Sequence, residues 1–344
     1  MRSFHDPGNA QHAPQFFLIR GQVRANYEVP ARAESLLAGL HALGLPPELA
    51  PPATAAQLQT VHAPDYLAFL EAIGPAWAAL PNAGAEAVGN TFPTIDALAS
   101  GGRRPAGVVG QVGWYTADAA CPIGAHTWEA SLGAAGVALA AAAEAAAGRQ
   151  AYALCRPPGH HTYAARAGGH CYLNNAALAV EALRAAGARK VAVLDIDSHH
   201  GNGTQGIFWN RAEVLTVSVH GDPGSYYPWF TGYAEETGGA GAEGANLNIP
   251  LPFGSPDAAW LAAVQHGIAA VQAFKAEALV VSLGFDASEH EPLNALNVTA
   301  EGFARAGALI GALKLPSAIV QEGGYNVDLL GPLLQRFLTG WSEA

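Results

Sequence analysis

The pattern of hydrophobic and polar positions changes character at about residue 129. From Glu129 onward, short apolar runs alternate with longer stretches of helical period. A helical pattern near Glu129–Ala147 precedes the run "AYALC", and the helical "LNNAALAVEALRAAG" precedes "KVAVLDID". Further strand-like runs are "EVLTVSVH", "EALVVSLG" and "PSAIVQEGG", with helices expected at about Asp257–Phe274, Thr299–Leu313 and Val327–Leu338. Strands that are apolar on both sides belong to a sheet buried under helices on both faces. The expectation is an α/β fold with a mostly parallel central sheet.

The first third reads differently. Arg32–Leu43 and Pro64–Ala72 look helical, but Gly74–Gly113 is rich in Gly, Pro and Asn and shows little periodicity. Such a long irregular stretch is usually functional; here it is expected to shape an active-site rim or an oligomer contact. No period of 20–50 residues repeats and no low-complexity linker divides the chain. The expectation is one domain over residues 1–344, with 74–113 as an irregular insert.

Composition narrows the function classes. Half the residues are hydrophobic and 13% are charged, ample for a substantial core. A net charge of −11, from 17 basic and 28 acidic residues, argues against binding a nucleic-acid backbone, which uses basic patches. A cationic or neutral small substrate fits it better. Three cysteines, Cys121, Cys155 and Cys171, have no CxxC spacing and read as plain thiols in a reducing compartment. The N-terminus lacks the apolar core of a signal peptide. The run "AAGVALAAAAEAAAG" is broken by Glu144 and reads as a buried helix rather than a membrane span. A cytoplasmic location is therefore expected.

Four of the expected strands end in chemistry. After "AYALC" comes "RPPGHH" with His160 and His161; after "VAVLDI" come Asp197 and His199. After "ALVVSLG" comes "FDASEHEP" with Asp286, and after "AIVQEGG" comes Tyr325. In open α/β sheets ligands bind beyond the carboxyl ends of the strands, so these residues should share one edge. Two carboxylates and one imidazole suit a catalytic zinc site, in which three protein ligands leave one position open. A histidine pair supplies proton transfer, and a tyrosine beyond a Gly-Gly pivot can donate to an oxyanion. Together the parts describe metal-assisted hydrolysis of an amide or ester. Singly, each has a plainer reading: Asp286 as a helix cap, Asp197 and His199 as loop residues, the histidines as a hydrogen-bonded pair, Tyr325 as packing.

At these residues the sequence resembles the zinc-dependent histone deacetylase and acetylpolyamine amidohydrolase family, of arginase-like α/β fold. The matching segments are "RPPGHH", "GGHCYLNNAA", "VLDIDSHHGNGTQ", "VLTVSVHGDP", "GYAEETGGAGAEGANLNIPLP", "VVSLGFDASEHEPL" and "IVQEGGYN". The bacterial amidohydrolase branch is the most similar. The resemblance implies Asp197, His199 and Asp286 as ligands of Zn2+, with Fe2+ an alternative in the cell. It implies His161 as general base and then acid, and His160 as its electrostatic partner, with Asp195 holding His160 and Asn202 orienting His161. Tyr325 would bond the substrate carbonyl and then the oxyanion. Gly169, His170, Gly323 and Gly324 would line the substrate tunnel. A structural K+ is also implied, held by Asp195, Ser218 Oγ and main-chain carbonyls of Asp197, His199 and Val219, with a second such site near Phe208, Arg211 and Val214. The substrate would be a small acylated amine or an acetyl-lysine-like group. Nucleic acid and membrane are not expected as partners, and homo-oligomerisation is left open.

The departures bear on substrate. His170 stands where most relatives carry Phe or Tyr. Polyamine-specific relatives place acidic residues to meet a distal ammonium, whereas this chain has Val109, Ala120 and Phe17 near those positions, with Asp118 as a nearby substitute. His41, His62, His126, His266 and His290 read as packing or surface residues, and His200 has no assigned role. The reading is a deacetylase of N-acetylated amines. The alternatives are a broader amidase or esterase acting on small or xenobiotic amides, and a non-catalytic acyl-amine binding protein. A two-manganese, arginase-type site is disfavoured because only one Asp-His-Asp set is present.

Overall fold

The computed structural model describes residues 1–344. Eight strands form the central sheet: β1 (Arg2–His5), β2 (Glu48–Leu49), β3 (Gln150–Leu154), β4 (Val191–Asp195), β5 (Val214–Gly221), β6 (Asn246–Leu251), β7 (Ala278–Leu283) and β8 (Ser317–Gln321). Their order is β2-β1-β3-β8-β7-β4-β5-β6, and every neighbouring pair is parallel. The α/β architecture with a mostly parallel central sheet expected from the sequence is the one observed.

The continuous apolar runs have a direct explanation in the two cores. In β4, Ala192 and Leu194 belong to one hydrophobic cluster while Val191 and Val193 belong to the other. The same alternation separates Leu279, Val281 and Leu283 of β7 from Ala278 and Val280. Successive side chains point to opposite faces, so a strand covered on both sides needs apolar residues throughout. Helices Ala31–Ala42, Asp257–Phe274, Ala300–Gly311 and Val327–Glu343 contribute to the first core, and Thr127–Ala146 and Asn175–Ala185 to the second. No helix is long and apolar enough to cross a membrane.

Local rules set the boundaries. Asn174 and Thr299 cap their helices by accepting from the amides of Ala177 and Gly302. The last helix runs five residues past the expected Leu338, because Trp341 is buried and its indole donates to Gln150 at 3.0 Å. The segment 74–113 is less irregular than its composition implies. Helix Pro64–Ala78 continues through Pro75, whose fixed φ is helix-compatible, and Ile95–Ala99 and Val108–Tyr115 are also helical. The strands β1, β2 and β6 were not expected, being short or carrying polar residues and Pro250. A hairpin, Phe16–Ile19 with Gln22–Ala25, turns through Arg20 and Gly21, both at positive φ.

The strands that end in candidate chemistry, β3, β8, β7 and β4, are consecutive neighbours in the sheet. Parallel strands present their carboxyl ends at one edge, so four separate loops meet there.

Candidate active site

Asp197, His199 and Asp286 converge at this edge. All three are buried, and their ligand atoms lie within 4.8 Å of one another. His199 Nδ1 is 2.9 Å from Asp286 Oδ2 and 3.2 Å from Asp197 Oδ1. The remaining oxygens are held by backbone: Ser198 N donates to Asp286 Oδ1 at 2.9 Å, and Gly323 N to Asp197 Oδ2 at 2.8 Å. Burial alone would lower the His199 pKa, but the two carboxylates outweigh it and raise it to about 9. Two fully buried carboxylates need compensating positive charge.

The surrounding backbone has no room for side chains. A Cβ at Gly323 would come within 2.3 Å of Asp286 Oδ2 and 2.6 Å of Asp197 Oδ2, and one at Gly284 within 2.1 Å of Asp197 Oδ2. Two hard oxygen donors and one imidazole, so cradled, fit a divalent metal ion.

Beside this group lie the paired histidines, with ring centroids 4.0 Å apart. His160 Nδ1 is 2.9 Å from Asp195 Oδ2, and Asp195 Oδ1 also accepts from Asp197 N at 3.1 Å. His161 Nδ1 meets the side-chain oxygen of Asn202 at 2.6 Å, and Asn202 Nδ2 donates to the Tyr163 hydroxyl at 3.0 Å. An amide oxygen only accepts, so Nδ1 of His161 carries the proton and Nε2 is left as the basic nitrogen. The two environments push the pair apart. Burial lowers His160, yet Asp195 and Asp197 override it and raise it well above its usual range. Burial, reinforced by His160 and His199, holds His161 well below its usual range. Titratable neighbours separated in this way are suited to distinct proton-transfer roles.

Tyr325 is buried, and its ring centroid lies 5.9 Å from that of His170. Burial keeps its hydroxyl pKa well above the usual range against the pull of Arg32, so it remains a donor. Its backbone is clamped by Glu291, which accepts from Tyr325 N at 2.8 Å and Asn326 N at 3.0 Å. Gly324 has φ +116°, which favours glycine. Gly169 and His170 are also left-handed, at φ +50° and +66°. His170 is buried against Phe17 of the hairpin, centroids 5.6 Å apart. Burial lowers its pKa to about 4, so its ring is neutral near pH 7.

Tyr227 faces His161 edge-on at 4.8 Å. Its hydroxyl donates to Asp118 Oδ2 at 2.6 Å, and Asp118 also accepts from Gly169 N at 3.1 Å and Ala120 N at 2.7 Å. Asp118 is therefore satisfied by Tyr227 and the backbone around it. Val109 is on the helix Val108–Tyr115 and exposed.

Asp195 and Ser218 are direct register partners across β4 and β5, with Val219 next along β5. His200 belongs to a buried polar network instead, its Nε2 3.0 Å from Gln205 Oε1. His62 is buried and hydrogen-bonded, while His41, His126, His266 and His290 lie at the surface, so none joins the site. Near the second suggested cation position, Arg211 pairs with Glu213 at 2.6 Å and Glu181 at 3.2 Å.

Sequence reasoning passed over Glu28, Arg32, Glu291, Glu322 and Tyr227. A usable signal existed for Glu322, a carboxylate between an apolar run and a Gly-Gly pair. Glu28 and Arg32 pair with each other four residues apart, a spacing the sequence shows, but their link to the site, through Arg156 and the carbonyls of Glu322 and Gly324, is made only by folding.

Comparison with known proteins shows the family. The histone deacetylase domain family matches residues 26–340. An acetylpolyamine amidohydrolase of Burkholderia pseudomallei is 44% identical over 99% of this chain and 98% of its own length. Acetylpolyamine amidohydrolase 1 of Pseudomonas aeruginosa is 39% identical over 100% of this chain and 99% of its own. A crystal structure of an acetylpolyamine aminohydrolase from Burkholderia pseudomallei superposes with a TM-score of 0.95 at 43% identity, covering 99% of this chain and 98% of that one.

Proposed function

The chain belongs to the histone deacetylase family, and from that premise we propose that it is a metal-dependent amidohydrolase that removes the acetyl group from the nitrogen of an extended amine. The observation that carries the reading is the meeting of the buried Asp197–His199–Asp286 group with His161 and Tyr325 at one sheet edge.

Asp197, His199 and Asp286 would hold the metal, Zn2+ in our reading, with Fe2+ compatible with the same donors. Bound there, it would supply Lewis acidity toward the amide carbonyl and lower the pKa of water. His161 Nε2 takes the proton from the attacking water and returns it to the leaving amine, its ring fixed through Nδ1 by Asn202. His160, bonded to Asp195, favours its protonated form and places positive charge beside the developing oxyanion. The Tyr325 hydroxyl donates to the carbonyl oxygen and then to the oxyanion. His170 and Tyr227 wall the channel, with the main chain of Gly169, Gly323 and Gly324 completing it. A structural K+ beside Asp195, Ser218 and Val219 belongs to the same reading, with Ser218 Oγ also 2.8 Å from His220 Nδ1. We read residues 1–344 as one domain, with 74–113 at the rim or in an oligomer contact.

The relatives named for acetylpolyamines support a small acylated amine as substrate. One observation favours a second reading, a broader-scope amidase: the Asp118 carboxylate already accepts from Tyr227, Gly169 and Ala120, leaving it poorly placed for a distal ammonium. The test is kcat/KM of zinc-loaded protein on acetylputrescine, acetylspermidine, an acetyl-lysine peptide and an acetanilide. Preference for the acetylated polyamines supports the first reading, and preference for the anilide the second. No turnover of any of them overturns both.

A further inference from the structure

The turn that carries the two histidines is tied to the segment that carries Tyr325 by a single buried side chain, Glu322. It follows β8 directly and is fully buried. Its Oε2 accepts from two consecutive amides of the histidine turn, Gly159 N at 2.7 Å and His160 N at 3.1 Å. Its Oε1 is 3.4 Å from the Ser282 hydroxyl on β7. Its own carbonyl accepts from Arg32 Nη2 at 2.6 Å, and the amide of the next residue, Gly323, donates to Asp197 Oδ2. One residue therefore touches the proton-transfer loop with its side chain and the Tyr325 segment with its main chain.

We propose that Glu322 is a positioning residue for hydrolysis: its carboxylate fixes the backbone of the Gly159–His161 turn, and so the distance between His161 and the group to which it gives its proton. This rests on the role assigned to His161 above. A buried carboxylate is a costly way to fill space, and an apolar residue at the end of an apolar strand would pack there without penalty. What an apolar residue lacks is an acceptor for two convergent amides; burial raises the Glu322 pKa to about 7, and its Oε2 can accept from both N–H groups whether the carboxyl is ionised or carries a proton on Oε1. The turn has no slack on its other side. A Cβ at Gly159 would lie 2.5 Å from Asn175 N and 2.7 Å from Leu173 O. Glu322 thus presses the turn against the start of helix Asn175–Ala185.

Glu322 touches no metal-ligand side chain through its carboxylate, so the effect of its loss should fall on kcat. In Glu322→Ala the two amides lose their acceptor, and kcat should drop ~10- to 100-fold, the scale of a misplacement of about 1 Å. KM and metal content should stay at the level of the parent. In Glu322→Gln the amide oxygen can still accept from both N–H groups, so most of the lost kcat should return. Selective 15N-histidine labelling gives an independent signature, since the His160 amide resonance should move in both variants.

Kcat within twofold of the parent in folded Glu322→Ala overturns the proposal. So does activity lost in proportion to metal, or a Gln variant no better than Ala. If the Ala variant does not fold, Glu322→Met, which fills the space without an oxygen acceptor, takes its place: kcat several-fold or more below that of the Gln variant, with a shifted His160 amide, supports the proposal, and kcat equal to that of the Gln variant or an unmoved resonance overturns it. His161→Ala measured alongside separates the two readings. Full turnover in that variant defeats the role of His161 but leaves the amide shift as the test of Glu322 as a clamp.

Discussion

The guanidinium of Arg32 lies 5.0 Å from the centroid of the Tyr325 ring, while its Nε donates to Gly324 O at 2.5 Å and its Nη2 to Glu322 O at 2.6 Å. A helix near the N-terminus therefore holds the backbone of a loop near the C-terminus. Its charge is balanced by Glu28, 2.8 Å away, which also pairs with Arg156 at 2.8 Å. Although burial opposes it, Glu28 is held well below the usual carboxylate range by Arg156, His12 and Arg32. Arg32→Lys keeps a cation for Glu28, but a lysine ammonium is a point charge without the rigid fork of Arg. The expected outcome is a kcat lower by about 10-fold with metal content intact, the scale of a small misplacement. Steady-state kinetics with metal analysis checks it, and an unchanged kcat contradicts it.

Tyr325→Phe removes one hydroxyl and leaves the ring against Arg32 and His170. Loss of a single oxyanion donor typically lowers kcat by ~10²- to 10³-fold. Metal content and thermal midpoint should stay near those of the parent. A Phe variant with full metal and unchanged turnover would remove Tyr325 from the reaction.

The parts legible in the sequence were those where one local rule decides. The alternating core faces of β4 and β7 impose runs such as "VAVL" and "LVVSL", and the residues that follow stand at the ends of neighbouring strands. The hidden parts needed tertiary partners. β1 is only "RSFH", and nothing local marks it as a sheet strand. Arg32 reads as one polar residue on a helix until the fold brings the carbonyls of Glu322 and Gly324 to it. His170 was legible as a departure from relatives, but not its neutral state, which follows from burial beside Phe17 and Tyr325. Asp118 reads in the sequence only as a weak substitute for the missing acidic positions, and the structure supplies its three internal donors.

Removing the metal should affect both activity and stability. Asp197 and Asp286 are fully buried around His199, with His160 Nε2 3.8 Å from Asp197, and when His199 offers a neutral ring to the metal a bound cation balances the two carboxylates in the folded state. A ligand bound only by the folded chain stabilises it by mass action. Treatment with a strong chelator should abolish turnover and lower the thermal midpoint, and added Zn2+ should restore both. Asp286→Ala should lose metal and activity together, without recovery at stoichiometric Zn2+. Full activity of exhaustively chelated protein, with metal shown absent by elemental analysis, would contradict the assignment.

His62 provides a pH dependence separate from the chemistry. It is buried, its Nε2 accepts from Asn174 N at 3.0 Å, and its Nδ1 is 3.3 Å from Ala164 O. The arrangement needs the neutral ring with its proton on Nδ1, because a proton on Nε2 would face another donor. Burial accordingly lowers its pKa to about 4, from an ordinary value of 6.5. The unfolded chain then binds a proton that the folded chain refuses. The contribution of His62 to stability is complete above pH 6.5 and is lost as the pH falls toward 4. Linkage over that interval amounts to at most about 3 kcal/mol. In His62→Gln the side-chain oxygen can accept from Asn174 and the amide can donate to Ala164, with no group to titrate. Urea midpoints measured between pH 7 and 4 should therefore fall less steeply in the Gln variant than in the parent. Parallel pH profiles would show that His62 is not the group that titrates.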